Sequence, residues 1–326
     1  MRSLRIGAGR LAALTFTCLV LFVALTTQST RADSVAKPEW QEIPVGDAAH
    51  GTRQYSDYES ARACAPCHVD IYQQWTRAMM SQAYVHHWDE IEYFGLAVPH
   101  AERKAKVAGV KDGCNGCHAP IAFLAGDTPP PKPGLGGLAD EAVSCDLCHS
   151  IVGFKGEQPY NFNWISDPGR TKYGGRDGLE SPHHRTERNE FMQTGDFCGT
   201  CHNEMSPYGV WVKSTHLEWS EGPYAAEGVP CQDCHMPRAP GAISITTEPI
   251  EDMRHHLFHG AHVPSKLLGA IELVMWCDTE EIEPGETMKL SLALFNQKAG
   301  HKIPTGSAEE RQLWVTVEAV DAEGVR

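Results

Sequence analysis

Five pentapeptides of the form Cys-x-x-Cys-His are the residues of this sequence best suited to chemistry. Two thiols at this spacing can add across the two vinyl groups of a porphyrin, and the imidazole behind them can become the proximal ligand of its iron. The motifs are Cys64–His68, Cys114–His118, Cys145–His149, Cys198–His202 and Cys231–His235. The sequence therefore predicts five covalently bound c-type haems, each with an iron centre.

The motifs assign ten of the twelve cysteines to thioether bonds and five histidines to proximal ligation. The cysteines are Cys64, Cys67, Cys114, Cys117, Cys145, Cys148, Cys198, Cys201, Cys231 and Cys234, and the histidines are His68, His118, His149, His202 and His235. Bare C-x-x-C pairs could also be zinc knuckles, redox dithiols or halves of a disulfide framework. None of these requires histidine at the next position, so its presence in all five motifs favours haem attachment.

The sixth position of each iron is filled or left open, and this choice sets the potential and reactivity of the haem. Met80 follows the first motif, but a methionine at helical spacing can equally fill a core. His86 and His87 compete with it for the same role. His183 and His184 precede the fourth motif in Ser-Pro-His-His, where a solvated turn would account for at least one of them.

Further candidates for distal ligands lie after the fourth motif. His216 stands in Ser-Thr-His-Leu-Glu-Trp and could equally be a satisfied surface histidine. Residues 254–262 (RHHLFHGAH) hold four histidines, at least one of which should reach iron. His301, in Gly-His-Lys-Ile-Pro-Thr-Gly, would bring the C-terminal part of the chain against a haem.

The N-terminus has the pattern of a secretory signal peptide over residues 1–32. Three arginines in the first ten residues form a basic region, residues 11–27 form an apolar region, and Ala32 ends a cleavage site of small residues. An uncleaved anchor is the alternative, because the apolar region has the shortest length that could span a bilayer. We expect export to the periplasm or cell surface, with no transmembrane helix after cleavage.

The formal net charge is −14, and removal of the four arginines in residues 1–32 would make it −18. Haem propionates would add further negative charge. Nucleic acid is excluded as a natural partner, because its phosphates would repel such a surface. The charge suits docking to basic redox proteins that donate or accept electrons, although solubility alone would explain it as well.

All five motifs lie within residues 33–262, where Gly, Pro, Asp and Asn interrupt almost every candidate helix. We predict that this part is a mainly α and irregular pentahaem cytochrome domain with a haem-dominated core. Short helices are expected over residues 70–84 and 214–220. The motif spacing groups the second motif with the third and the fourth with the fifth.

Residues 263–326 have a different pattern, with β-type segments separated by turn-rich sequence. These segments span 271–277, 288–295 and 312–320, and the second has leucines at alternate positions. We predict a short, partial β-sandwich-like segment that is truncated or completed by a partner, because three strands make an incomplete sandwich. A lone three-stranded sheet packed on the cytochrome domain is the alternative.

Several of these segments resemble the multihaem cytochromes grouped with cytochrome c-554. They are Cys145–Gly153, Cys198–His202 preceded by Ser181–His184, Gly228–Pro237, His256–His262 and Gly300–Gly306. The resemblance runs from about Cys64 to the C-terminus. It implies an electron-transfer protein with closely packed, mostly bis-histidine haems whose distal ligands often come from remote segments. By the same resemblance, the favoured distal ligands are His184 rather than His183, His256, His262 and His301.

One departure from this resemblance concerns Met80. It stands five residues after Trp75, where such proteins often carry a distal histidine. Met80 is therefore the candidate distal ligand of the haem at the first motif, whose coordination is the one expected to differ.

We expect an exported carrier that passes electrons along its haems between a respiratory donor and a terminal acceptor. On this interpretation the protein is a carrier rather than an enzyme. One alternative is an oxidoreductase that acts on a small nitrogen or sulfur compound at an open-coordinate haem. Another is the subunit of an extracellular cytochrome filament.

Overall fold

A computed structural model describes residues 50–87 and 89–320 of the 326-residue chain. These residues belong to one structural unit, Glu39–Arg326. The predicted signal segment, residues 1–32, lies outside the described residues, and the domain boundary at residue 262 stays a prediction. No helix within residues 50–87 and 89–320 is long and apolar enough to cross a bilayer.

Short helical turns carry the Cys-x-x-Cys-His motifs. The α-helices of the described chain are α1 (Ala61–Cys64), α2 (Val69–Trp75), α3 (Val98–Arg103), α4 (Val110–His118), α5 (Pro120–Ala125), α6 (Cys145–Cys148), α7 (Gly195–His202), α8 (Thr215–Ser220), α9 (Pro223–Ala226), α10 (Cys231–His235) and α11 (Pro264–Leu267). A π-helical segment spans Asp89–Ala97, and 3-10 turns span Tyr55–Asp57, Met79–Gln82, Ala105–Val107, Leu138–Glu141, Glu190–Gln193 and Ala308–Glu310. Helices α1, α4, α6, α7 and α10 each contain at least the first cysteine of a motif.

Capping residues explain where several of these helices begin and end. The Ser60 hydroxyl accepts a hydrogen bond from the backbone N–H of Arg62 and starts α1. Ser144 caps α6 in the same way, by accepting from the backbone N–H of Leu147. Helix α5 ends at Gly126, whose φ of 75° lies in the left-handed region that favours glycine.

The helix predicted over residues 70–84 is divided in two. It forms α2 and then a 3-10 turn, because Ala78 between them has an extended backbone (φ −88°, ψ 149°). The helix predicted over 214–220 forms as α8. It ends before Gly222-Pro223, where a new helical turn begins with proline in its first turn.

The strands form five separate two-stranded ribbons in the described part of the chain. They are β1 (Ile151–Phe154), β2 (Trp164–Ser166), β3 (Thr171–Gly174), β4 (Arg185–Arg188), β5 (Asn203–Met205), β6 (Trp211–Ser214), β7 (Arg238–Gly241), β8 (Ile250–Arg254), β9 (Ile271–Cys277) and β10 (Leu290–Asn296). Strands β3 and β4 pair in parallel, and the other pairs are antiparallel. The ladder of β9 and β10 is the longest of these, with seven residue pairs.

The predicted β-sandwich-like segment is not confirmed. Strands β9 and β10 form where two strands are predicted, but residues 312–320 join no ladder. Trp314 in that segment is 77% exposed. A single two-stranded ribbon cannot enclose a core between two sheets. The described fold is a mixture of short helices and small strands.

Two clusters of buried apolar side chains lie near the second, third and fourth motifs. The larger contains Tyr58, Ile121, Phe123, Leu124, Leu147, Ile151, Phe162 and Trp164, with Cys117 and Cys201 packed against it. The smaller contains Tyr84, Ala119, Ala122, Ala139 and Ala142. Full burial of one large apolar side chain contributes about 1.5–3 kcal/mol. These clusters fix the helical turns that carry the cysteines, while the share of the core that haem would fill stays a prediction.

Candidate cofactor sites

We number the five motifs as sites 1 to 5 in chain order. At sites 1, 2, 3 and 5 the proximal imidazole donates its Nδ1–H to a backbone carbonyl from another segment. The Nδ1···O pairs are His68–Ile243 (2.8 Å), His118–Ala83 (2.7 Å), His149–Tyr173 (2.6 Å) and His235–His259 (2.6 Å). This bond fixes the ring orientation and tautomer and leaves the Nε2 lone pair free to bind a metal.

A second imidazole faces the proximal one at sites 1, 3 and 5. His184 faces His68 with ring centroids 6.2 Å apart and planes 25° apart. His256 faces His149 at 6.4 Å and 24°. His301 faces His235 at 6.3 Å and 17°.

These separations lie near the upper end of the range for ring pairs, and they also fit an intervening metal ion. Histidine nitrogen lies about 2.0–2.1 Å from a bound metal such as zinc. Two imidazoles that share one metal on opposite sides therefore have centroids roughly 6 Å apart. The donor set and its spacing fit the iron of a bis-histidine haem at sites 1, 3 and 5.

The facing histidines are held in the same way as the proximal ones. Their Nδ1 atoms are hydrogen-bonded to backbone carbonyls, in the pairs His184–Arg185 (3.0 Å), His256–Arg254 (3.0 Å) and His301–Lys302 (2.9 Å). Nε2 of each ring is thereby left for the metal. In all three pairs, both imidazoles are therefore oriented in the same way, by a hydrogen bond from Nδ1 to a backbone carbonyl.

Burial keeps several of these imidazoles neutral at neutral pH. Desolvation, reinforced by the neighbouring His149, lowers the pKa of His256 to about 4. Burial also lowers the pKa of His149 and of His235. At site 4, burial lowers the pKa of His202 to about 4. A neutral imidazole is the form that ligates a metal, so these sites are already in the required protonation state at pH 7.

His216 has a different environment from the three facing histidines. Its Nε2–H donates to Asp196 Oδ1 (2.9 Å), and its Nδ1 accepts from Asn203 Nδ2 (3.3 Å). Both nitrogens are therefore engaged, and the ring is buried between α7 and α8. The structure places His216 in a hydrogen-bond network rather than opposite a proximal histidine.

Met80 and His262 are not members of the three histidine pairs. Met80 is half-buried in the turn Met79–Gln82, where its carbonyl accepts from the backbone N–H of Val143 (3.2 Å). His262 is exposed on the loop before α11 and lies close enough to His86 to lower the pKa of that ring. At site 1, where the sequence predicts Met80 as the distal ligand, the imidazole opposite His68 belongs to His184.

The attachment cysteines bring the sites close together in space. The Cys64 and Cys145 thiols lie close enough to shift each other's pKa, which brings sites 1 and 3 together. Two further sulfur pairs join site 4 to its neighbours, Cys117–Cys201 with site 2 and Cys198–Cys231 with site 5. Cys148 of site 3 also lies near Cys201. In a haem-loaded chain these sulfurs would be thioethers.

This arrangement differs in part from the grouping suggested by motif spacing. Sites 4 and 5 are neighbours as expected, but site 2 lies against site 4 and site 3 against site 1. Sequence reasoning also missed the carbonyl acceptors that orient the imidazoles. No side-chain signal could have found them, because every residue has a backbone carbonyl.

Two ranges of the chain match known families of c-type cytochromes. Residues 63–150 match the family described as cytochrome c554 and c-prime, and residues 184–270 match the N-terminal region of the NapC/NirT cytochrome c family. The two matched ranges contain all five motifs and the facing residues His184 and His256. No curated protein matches the chain.

A solved structure shares the fold. The penta-heme cytochrome c552 from Thermochromatium tepidum is 23% identical, and the match covers 78% of this chain and 69% of that chain with a TM-score of 0.56. The two family matches and the shared fold support a multihaem c-type cytochrome, in agreement with the resemblance seen in the sequence.

Proposed function

We propose that this protein is an exported c-type cytochrome that carries electrons along five covalently bound haems, between a respiratory donor and a terminal acceptor. The three imidazole pairs, with their metal-sized gaps, are the observation that carries this proposal. When bound, haem supplies a one-electron redox couple, and two histidine ligands place its potential in the low range.

The paired histidines and their hydrogen bonds determine which chemistry sites 1, 3 and 5 can support. The proximal and the facing histidine would together hold the iron of a bound haem, so no position would be left for a substrate at sites 1, 3 and 5. The Nδ1–H bonds prevent ring rotation, which keeps the ligand geometry alike in both oxidation states. Ligands that do not rearrange suit electron transfer rather than bond-making chemistry.

We assign the distal positions of sites 1, 3 and 5 to His184, His256 and His301. His216 is left out of this set because its two nitrogens have other partners. Because His184 faces His68 at site 1, Met80 is moved from that site, and it joins His262 as a candidate for the distal positions of sites 2 and 4.

The neighbouring cysteines support a branched order of sites. Site 4 lies next to sites 2, 3 and 5, and site 1 lies next to site 3. An electron that entered at site 1 would therefore reach site 4 through site 3 and could leave by either of two branches. Cys234 of site 5 is exposed, which makes that branch suitable for contact with a redox partner.

The partners are proposed to be redox proteins with basic docking surfaces. The net charge of −14 would steer such proteins toward this chain and would repel nucleic acid. The signal-peptide pattern of residues 1–32 supports export, to the periplasm or to the cell surface, because c-type haem motifs and an export signal occur together.

Substitution of His256 by alanine tests the assignment. In the haem-loaded protein, His256→Ala should convert one of the five haems from low-spin to high-spin, because site 3 loses an axial ligand. Low-temperature EPR and cyanide binding would measure the change. His255→Ala is the matched control, since the structure pairs the neighbouring ring, and not that of His255, with His149. Five low-spin haems in His256→Ala would overturn the assignment.

A second candidate function is an oxidoreductase acting on a small nitrogen or sulfur compound at site 4. It is favoured by His202, whose ring is buried and is not a member of the three imidazole pairs described above. Nitrite or cyanide binding to one haem of the unmodified protein would support this candidate. Spectra that stay unchanged at millimolar ligand would exclude it.

A further inference from the structure

A buried ion pair lies between the segments that carry sites 1 and 3. Asp146 stands inside the motif of site 3, directly after Cys145, and is only 2% exposed. Its Oδ1 accepts from Lys172 Nζ of β3 at 2.5 Å, and the lysine side chain is largely buried as well. Its Oδ2 accepts from the backbone N–H of Glu59 at 2.7 Å. Both carboxylate oxygens are therefore used, one by the strand after site 3 and one by the segment before site 1.

The bond to Glu59 holds the start of site 1. Glu59 precedes Ser60, the N-cap of helix α1, and this helix ends at the attachment residue Cys64. Glu141, from the segment before site 3, binds the same start by accepting from the Ser60 hydroxyl and from the backbone N–H of Ala61 (2.7 Å). Two carboxylates from the site 3 segment thus hold the first turn of the helix that carries site 1.

The bond to Lys172 holds the ligand of site 3. Tyr173, the next residue of β3, accepts from Nδ1 of His149 (2.6 Å) and donates its own backbone N–H to the His149 carbonyl (2.9 Å). Lys172 ties this part of β3 to α6, the helix that leads into His149. The orientation of the proximal imidazole therefore depends on Asp146, through Lys172 and the main chain of Tyr173.

Stability alone does not account for an ion pair at this place. Burial removes water from both charges, and a well-packed apolar pair of similar size often stabilises a fold equally well or better. Beyond the carboxylate, the Lys172 ammonium donates to the carbonyl of Gly169 (2.7 Å). The pair links three segments around two cofactor sites, so the geometry that it fixes is the better explanation for its presence.

We propose that Asp146, with Lys172 as its counter-charge, is a positioning residue that fixes sites 1 and 3 relative to each other and orients the proximal ligand of site 3. This inference rests on the proposed function, because it assumes a haem at both sites. The carboxylate is next to Cys145 in the chain and is bonded to the segment that starts the helix of Cys64. Loss of its charge should therefore also change the reduction potential of both sites, since an electron is added more easily where a nearby negative charge is removed.

Three variants, each studied as the haem-loaded full chain, separate position from charge. Asp146→Asn keeps the shape but leaves Lys172 as an unpaired positive charge, so two of the five midpoint potentials should rise. Lys172→Met removes the positive charge, so no potential should rise. The double variant removes both charges, and its potentials should lie close to those of the unmodified protein. Spectroelectrochemical titration would measure all of them.

Asp177→Asn is the matched control for the loss of a carboxylate. Asp177 forms an ion pair with Arg188 (2.5 Å) in which both side chains are exposed. Solvent screens a charge at such a position, so this variant should leave all five potentials unchanged.

Low-temperature EPR reads out the position of the ligand. The site 3 haem is identified by the loss of its low-spin signal in His256→Ala, and its g-values should change in all three variants of the pair. They should change even in the double variant, whose potentials are restored. A pair needed only for stability would lower the free energy of unfolding and leave this signal as it is.

Unchanged site 3 g-values in all three variants would overturn the proposal, and so would an equal rise of all five potentials in Asp146→Asn. If Asp146→Asn does not load haem, Lys172→Met tests the proposal through the same EPR signal. A failure of the proposed function would instead appear in the unmodified protein, as fewer than five haems or no bis-histidine spectra.

Discussion

The region that carries the motifs differs from the ribbon of β9 and β10 in how the regularity of the backbone relates to the burial of side chains. In the first, the backbone is irregular, but large side chains such as Trp164, Tyr84 and Tyr93 are almost completely buried. In the second, the ladder is regular over seven pairs, yet Trp276 and Phe295 are about half exposed. Regular hydrogen bonding therefore does not indicate where this chain buries its apolar surface.

The two regions meet at site 5. The loop after β10 places His301 opposite His235. Glu218 of α8 holds this loop by accepting from the Lys302 backbone N–H (3.0 Å) and from the Thr305 hydroxyl (2.7 Å). The ribbon, although exposed itself, is thus followed by a segment that belongs to the cofactor sites.

The strongest test of this contrast is the removal of haem. A chain produced without the attachment machinery should lose cooperative unfolding in the motif region, because the two apolar clusters alone hold few of its segments together. Circular dichroism during thermal melting would measure this, with the haem-loaded chain as the reference. A haem-free chain that melts as sharply as the loaded one would show that protein contacts suffice.

Substitution of His301 is expected to have the next largest effect. In the loaded protein, His301→Ala should change site 5 from low-spin to high-spin and loosen the loop held by Glu218. EPR would count the low-spin haems. His216→Ala is the control, because it should leave all spin states unchanged while it lowers the free energy of unfolding by about 1–3 kcal/mol, through a lost buried hydrogen-bond network. Loss of a low-spin signal in the control would mean that His216 is a ligand after all.

The smallest effect is expected on the ribbon itself. Phe295→Thr replaces a half-exposed side chain by a good strand former, so the free energy of unfolding should change by only about 0.5 kcal/mol. Phe162→Ala in the larger cluster should cost about 3–5 kcal/mol. Urea unfolding would compare the two. A large loss in Phe295→Thr would show that this face of the ribbon is covered in solution.

The cofactor sites were easier to predict from sequence than the elements around them. The motif cysteines follow from spacing alone, because one helical turn brings both thiols together. The choice of His184, His256 and His301 needed the family resemblance, and the structure sets each of them opposite a proximal histidine. His216 could not be judged from sequence, since its partner Asp196 lies in another helix.

The helix and strand predictions from local sequence failed where tertiary contacts determine the backbone conformation. The helix expected over residues 70–84 breaks at Ala78, a residue with high helix propensity that packs almost fully buried. The strand expected over 312–320 has the right composition, but a strand needs a neighbour to pair with, and composition does not supply one.

The carbonyl acceptors of the imidazoles also bear on mutational tolerance. The orientation of His68, His118 and His149 depends on the main chain at Ile243, Ala83 and Tyr173. A point substitution changes a side chain but does not delete a carbonyl group. The orientation of these ligands therefore depends on the course of the main chain and not on particular side chains. Most single substitutions at these three positions should leave it intact.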